Sequence, residues 1–244
     1  MRYFIVGDVH GHYVEMLNAL SAKGFDISNP NHTFVSLGDL MDRGPRNLDC
    51  MNYVLNLPRR ILIRGNHEDL LDEALKRGYI IDLDHRNGTS MTYNELLFTS
   101  LADGDYRAYQ RYYLYRSMLH DYYEIGDMIF VHGWIPHFTY QKGFNCDYTR
   151  HDYWSDWRAA DANAWEKARW FNGMECWADG VREPNKTIFC GHWHTSWGHS
   201  YLEHAGPEFG SEADFSPFIA QGIVAVDGAV MVSKKVNCVV VEGD

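Results

Sequence analysis

Arg2-Tyr3-Phe4-Ile5-Val6-Gly7-Asp8-Val9-His10-Gly11 is the stretch on which the fold turns. Arg2 to Val6 is rich in aromatic and β-branched residues, which predicts a strand. It stops at a glycine, and an acid and a histidine follow two residues apart. Working outward, the arrangement recurs. Residues 33–37 read as a second strand, ending in Gly38-Asp39-Leu40-Met41-Asp42-Arg43-Gly44. Arg60–Ile63 read as a third, followed by Gly65-Asn66-His67-Glu68. Helical stretches at 13–23 (with Val14, Leu17 and Leu20 on one face), 47–57 and 67–76 separate them. Strand-helix alternation predicts an α/β sheet.

Residues 105–119 read as a helix carrying Tyr106, Tyr109, Tyr112, Tyr113 and Tyr115, and residues 134–177 are dense in Trp, Tyr, Arg and Asp. Further strands are expected at 128–131, Thr187–Cys190, 223–226, 229–232 and 236–241. The last three are expected to form a meander, with a tight turn at Asp227-Gly228. The chain reads as one catalytic domain, 1–244, with a helical, aromatic-rich, cap-like segment around 92–180. Its rings either pack that segment or offer a wall to a nucleobase or peptide.

The chemistry sits where the strands end. In an extended segment residues i and i+2 point the same way, so Asp8 and His10 can chelate one cation with an oxygen and a nitrogen. Val131-His132-Gly133 and Gly191-His192-Trp193-His194 close two later strands. Each fragment alone is a common loop, and Asn66 alone would be a fair N-cap. Five in succession after five strands point to one site at the carboxyl ends of the strands.

Composition narrows the function. A chain of 244 residues, 45% hydrophobic and 23% charged, has room for one α/β domain or two small ones. Lys plus Arg is 22 and Asp plus Glu 33, so 22 − 33 gives −11, which argues against a nucleic-acid backbone as partner. The five cysteines are odd in number and form no C-x-x-C pair, against a disulfide framework or zinc ribbon. The apolar start is too short for a signal peptide, and no window approaches a membrane span. The expected setting is cytoplasmic, with no membrane partner.

Taken together, GDVHG, GDLMDRG, GNHE, VHG and GHWH resemble the motifs of the calcineurin-like metallophosphoesterases, in their usual order from Gly7 to His194. The Arg of GDLMDRG and the Glu of GNHE resemble the PPP branch, which includes bacterial and phage serine/threonine phosphatases and symmetrical diadenosine tetraphosphate hydrolases. The tail Val226-Asp227-Gly228-Ala229-Val230 also looks like that family's closing strands. The resemblance implies a β-sandwich flanked by helices in α/β/β/α layers, with a dimetal site at the strand ends.

It also implies roles. Asp8, His10 and Asp39 would hold a first divalent ion, and Asp39, Asn66, His132 and His192 a second. Manganese leads, with iron or zinc also suited to these donors. Such a pair holds a bridging hydroxide that attacks phosphorus in line. His67 would be the general acid and Asp42 would orient it. Arg43 would clamp the phosphate, and Asn66 would contact it as well as metal. A second phosphate-binding arginine is expected among Arg150, Arg158, Arg169 and Arg182. Arg169 is chosen because the Trp165–Trp170 segment looks most like the family's aromatic-plus-Arg stretch. His194 departs from the protein-phosphatase pattern and either ligates the first metal or lines the site. Glu68 reads as a structural hydrogen-bond partner, and His12, His85, His137, His151, His199 and His204 as surface groups. The leading expectation is a phosphoserine/phosphothreonine phosphatase. A nucleotide phosphohydrolase of the diadenosine tetraphosphate type comes next, then a 2′,3′-cyclic phosphodiesterase, and a non-enzymatic scaffold last.

Overall fold

The computed structural model describes residues 1–104, 106–141 and 149–243, so Asp105 and Cys146 lie outside the described residues. The chain begins β1 (Arg2–Val6), α1 (Tyr13–Ala22), β2 (His32–Ser36), α2 (Asn47–Asn56), β3 (Arg60–Ile63), α3 (Asn66–Arg77). Next come α4 (Asp82–Asn87), α5 (Thr89–Asp103), α6 (Arg107–Ser117), β4 (Leu119–His120), β5 (Tyr123–Ile125) and β6 (Met128–Phe130). A ribbon of β7 (Phe138–Gln141) and β8 (Thr149–Asp152) precedes α7 (Ala162–Ala168) and α8 (Gly173–Ala178). Then follow β9 (Thr187–Cys190), α9 (Thr195–Tyr201), β10 (Phe218–Ala220), β11 (Ile223–Ala225), α10 (Val230–Ser233) and β12 (Cys238–Glu242).

The strands form two five-stranded sheets, ordered β12-β1-β2-β3-β4 and β10-β11-β9-β6-β5. Period-two alternation sorts their side chains. Tyr3, Ile5, Val35, Leu37, Ile61 and Ile63 of the first sheet meet Met128, Phe130, Phe189, Val224 and Val226 of the second. The intervening residues Phe4, Val6, Phe34 and Leu62 turn outward onto Met16, Leu20, Met51, Val54, Leu71 and Tyr112 of the helices. Ile129, Ile188 and Ile223 likewise turn onto Trp157, Trp165, Ala168 and Met174. Each such side chain contributes about 1.5–3 kcal/mol by leaving water. The result is the α/β/β/α sandwich that the motifs imply.

The helix α3 shows how sequence sets an element that carries the site. It starts at Gly65, whose N–H donates to Glu68 Oε2 at 2.9 Å, and stops at Gly78 in the left-handed region, φ 78°. Glu68 and Asp69 lie in its first turn and Lys76 and Arg77 in its last, matching the helix dipole.

Several expectations change. Residues 229–232 are not a strand: Ala229 adopts φ 47°, and the helical turn α10 follows. No meander forms, because β11 and β12 belong to different sheets. Val14 is exposed, and α1 buries Met16 and Leu20. The stretch 92–180 is only partly helical, since β4 to β8 lie within it. Trp134, Trp157 and Trp165 are buried packing residues, whereas Trp170 is 47% exposed. His12, His151 and His199 are buried and His137 half-buried, contrary to a surface assignment; His85 and His204 are exposed. Among the described residues no helix is long and apolar enough to cross a membrane.

Candidate metal centre

Hydrogen bonds draw the five strand-end loops together. Both carboxylate oxygens of Asp8 accept the backbone N–H of His192, at 3.0 and 2.9 Å. Asp39 Oδ1 accepts the N–H of His67 at 3.0 Å. The ring of His10 meets the Met41 carbonyl through Nδ1 at 3.1 Å, and His132 meets that of Leu37 at 2.7 Å. A carbonyl only accepts, so each Nδ1 carries the hydrogen and each Nε2 faces inward. Outer partners of this kind fix the rings of metal-binding histidines.

The inward-facing atoms form two donor groups. His10, Asp39 and His67 offer atoms within 4.8 Å of one another, and so do Asp39, His132 and His192. Asp39 belongs to both. His132 Nε2 also lies 2.7 Å from Asn66 Oδ1 and 3.4 Å from Asp39 Oδ1.

The backbone is bent to make this arrangement. Asp8, His10, Asp39, Asp42, Arg43 and His192 all have φ between 46° and 72°. They are six of the ten non-glycine residues with positive φ among the described residues. Left-handed backbone is costly for such residues and gathers at functional sites. Gly191 leaves room for the Asp8 carboxylate, since a Cβ there would overlap Asp8 Oδ2. Gly191→Ala should therefore push Asp8 out of place and weaken metal affinity about 10–100-fold, with little change in thermal unfolding of the metal-free protein. Calorimetric titration with Mn²⁺ reads the first and a melting curve the second.

Electrostatics show what the centre demands. Burial alone would raise Asp39, but His132 and His67 outweigh it and hold the carboxylate well below its usual range. Burial alone would lower His132, but Asp39 and Asp8 outweigh that and push it up to about 10. Burial lowers His192 to about 3. Asp8 is raised well above the usual carboxylate value, first by burial and then by Asp227. Two neighbouring buried acids call for a cation. Arg43 already places one at the first donor group: its Nη1 and Nη2 donate to His10 Nε2 at 3.0 Å and His67 Nε2 at 2.9 Å. Buried carboxylates, inward imidazoles and a stand-in cation fit divalent metal.

His67 Nδ1 donates to Asp42 Oδ2 at 2.8 Å. Asp42 is itself held by Thr89 Oγ1 at 2.7 Å and Thr92 Oγ1 at 2.5 Å. Glu68 accepts the N–H groups of Asp39 and Leu40 at 3.0 and 3.1 Å, and the Tyr115 hydroxyl at 3.0 Å, bracing the second loop against α6.

Two expected site residues have other partners. His194 Nε2 lies 2.8 Å from Glu208 Oε1, with its ring against Phe209, and falls in neither donor group. Arg169 is buried, with Nε on Asp69 at 2.6 Å and Nη1 on Asp121 at 2.8 Å. Asp69 also takes Arg64, so Arg169 sits in an ion-pair chain instead of presenting a free fork to phosphate. The motifs do not single out Thr89 and Thr92, which hold Asp42, or Asp227, whose charge helps raise Asp8. Asp227 follows an apolar strand just as Asp8 does, and that repetition was the available signal.

The sequence model of the calcineurin-like phosphoesterase family matches residues 1–196. An asymmetrical bis(5′-nucleosyl)-tetraphosphatase, PrpE, of Bacillus velezensis is 34% identical over 145 residues, 55% of this chain and 57% of that protein. Serine/threonine-protein phosphatase 2 of Escherichia coli is 36% identical over 79 residues, 31% of this chain and 33% of that one. The chain thus spans little more than half the length of the first relative and a third of the second. A protein serine/threonine phosphatase of Saccharomyces cerevisiae shares the fold, with a TM-score of 0.56 at 15% identity over 100% of this chain and 80% of that one.

Proposed function

Because the chain belongs to the calcineurin-like phosphoesterase family, we propose that it hydrolyses phosphate esters with two divalent cations held around Asp39. The observation that carries this reading is the membership of Asp39 in both donor groups. Asp8, His10 and Asp39 would hold one cation, and Asp39, Asn66, His132 and His192 the other, with manganese first and iron or zinc also suited to the donors. When bound, the pair would supply Lewis acidity at the phosphoryl oxygens and a water of lowered pKa.

The chain's own residues do the remaining work. The Arg43 fork is planar and matches two phosphoryl oxygens better than two imidazoles. Its transfer to substrate frees His67 Nε2 to carry a proton to the leaving oxygen. Asp42, fixed by Thr89 and Thr92, keeps the His67 ring oriented. The Asn66 amide, on the first turn of α3, would contact phosphate as well as metal.

The GDLMDRG and GNHE motifs put phosphoserine and phosphothreonine peptides first among substrates. A second reading, a dinucleoside polyphosphate, is favoured by the half-exposed Trp170, whose ring centroid lies 5.7 Å from that of His192. A nucleobase could stack there. Phosphate release from a phosphothreonine peptide and from diadenosine tetraphosphate, assayed side by side with Mn²⁺, decides between them. For a nucleotide enzyme, Trp170→Ala should lower kcat/KM on the dinucleotide about tenfold, as loss of one stacked base does, and spare a small phosphomonoester. Equal losses on both would remove Trp170 from substrate discrimination. Activity on neither substrate would overturn both assignments.

A further inference from the structure

Three of the residues that turn out to be wholly or partly buried stand together away from the dimetal centre. His137 precedes β7, His151 lies on β8, and Cys176 lies on α8. One donor atom from each falls within 4.8 Å of the other two. His151 is 5% exposed and Cys176 fully buried, against Phe171, whose ring lies 4.3 Å from His137 and 5.9 Å from His151.

The donor atoms of the trio crowd a single lone pair. His137 Nδ1 lies 2.9 Å from the Ile135 carbonyl, so it carries the hydrogen and Nε2 holds a single lone pair. Two groups approach that one lone pair: His151 Nδ1 at 2.7 Å and Cys176 Sγ at 3.8 Å. Only one of them can donate to it. The His151 ring can fill it, leaving the weakly donating Cys176 thiol beside them, whereas a metal ion would accept a lone pair from all three. Zinc takes imidazole nitrogen at about 2.0 Å and thiolate at about 2.3 Å. Donors on one tetrahedral ion therefore stand roughly 3.3 Å apart for N and N and roughly 3.5 Å for N and S. Binding would open the N–N separation of 2.7 Å by roughly 0.6 Å and close the N–S separation of 3.8 Å by roughly 0.3 Å.

We propose that His137, His151 and Cys176 form a third, structural metal site for a zinc-class cation, separate from the dimetal centre. Binding releases the Cys176 thiol proton to solvent and leaves a thiolate on the metal. The Asp179 carboxylate lies beside the trio, its Oδ2 accepting the backbone N–H of His151 at 3.2 Å. A cleft of about 430 Å³ bordered by His137, Phe138 and Phe171 gives an ion a route in. The ion would staple the β7–β8 ribbon to α8, which begins three residues after Trp170, the residue beside His192.

The test is metal stoichiometry and cobalt spectroscopy on the whole chain. The donors assigned at the dimetal centre are nitrogen and oxygen only, so a thiolate-to-Co²⁺ charge-transfer band reports the new site alone. Wild type should bind three zinc ions per chain by elemental analysis and show the band with Co²⁺. Cys176→Ser should lose one zinc and the whole band while keeping phosphoesterase turnover. Asp39→Asn should keep the band. His151→Asn, which leaves the thiol in place, should lose the same zinc and so covers the case in which Cys176→Ser fails to fold. Absence of the band from wild type, its survival in Cys176→Ser, or no zinc beyond what Asp39→Asn removes would each overturn the proposal.

Discussion

Replacing His67 with asparagine lowers turnover on a substrate with a poor leaving group by about 10²–10⁴-fold, the usual worth of a positioned general acid, while bound metal stays at wild-type stoichiometry. The two readouts are needed together because the structure gives His67 two credible roles. Its Nε2 lies 4.0 Å from Asp39 Oδ2, and it shares a donor group with His10 and Asp39, as a ligand would. Its Nδ1 is fixed on a carboxylate braced by two threonine hydroxyls, as an acid's would be. Ligation and proton donation predict different results. A ligand's loss reduces bound metal and slows every substrate alike. An acid's loss spares metal and is much smaller for a leaving group such as p-nitrophenolate, which departs without a proton. Equal rate losses on good and poor leaving groups would sink the general-acid assignment.

How much of this was legible in the sequence differs by element. The six strands that dominate the two sheets are runs of β-branched and aromatic residues, and burial on both faces makes such runs plain. The failures have local causes. Val230-Met231-Val232 has strand composition, but positive φ at Ala229 turns the chain into a helical corner. Nothing in Ile223–Ala225 or Cys238–Glu242 states which sheet each joins, because that depends on partners distant in sequence. The helical segment expected from about residue 92 covers most of α5 but not its opening at Thr89, whose hydroxyl, like that of Thr92, holds Asp42.

The site divides in the same way. Asp8, His10, Asp39, Asn66, His132 and His192 each sit in a glycine-flanked loop directly after a strand, so spacing marks them as candidates, although Asp8 stands outside both donor groups. Arg169 is picked out by local similarity, which carries no information about Asp69, 100 residues away, or Asp121, 48 residues away. His137, His151 and Cys176 show no ligand spacing at all and meet only through the fold.

Asp39→Asn carries the largest expected loss. Asparagine keeps the size of the side chain, and its amide oxygen can still accept the His67 N–H now bound to Oδ1. Folding should therefore survive, and a melting curve of the metal-free protein checks it. What disappears is the one negative charge common to both donor groups. Both cations should leave or bind weakly, and each withdraws several kcal/mol of charge stabilisation from the transition state. At 1.36 kcal/mol per tenfold that is at least about 10³ in turnover. The substitution also acts on His132, which burial pushes down and Asp39 pushes up most strongly, to about 10. Removing the Asp39 charge takes away the larger raising cause, so in the metal-free variant the His132 ring should lose its proton at lower pH than in metal-free wild type. Its NMR titration reads that shift independently of activity. A variant that kept both metals at wild-type affinity and an unmoved His132 titration would show that the Asp39 carboxylate does not join the two halves of the centre.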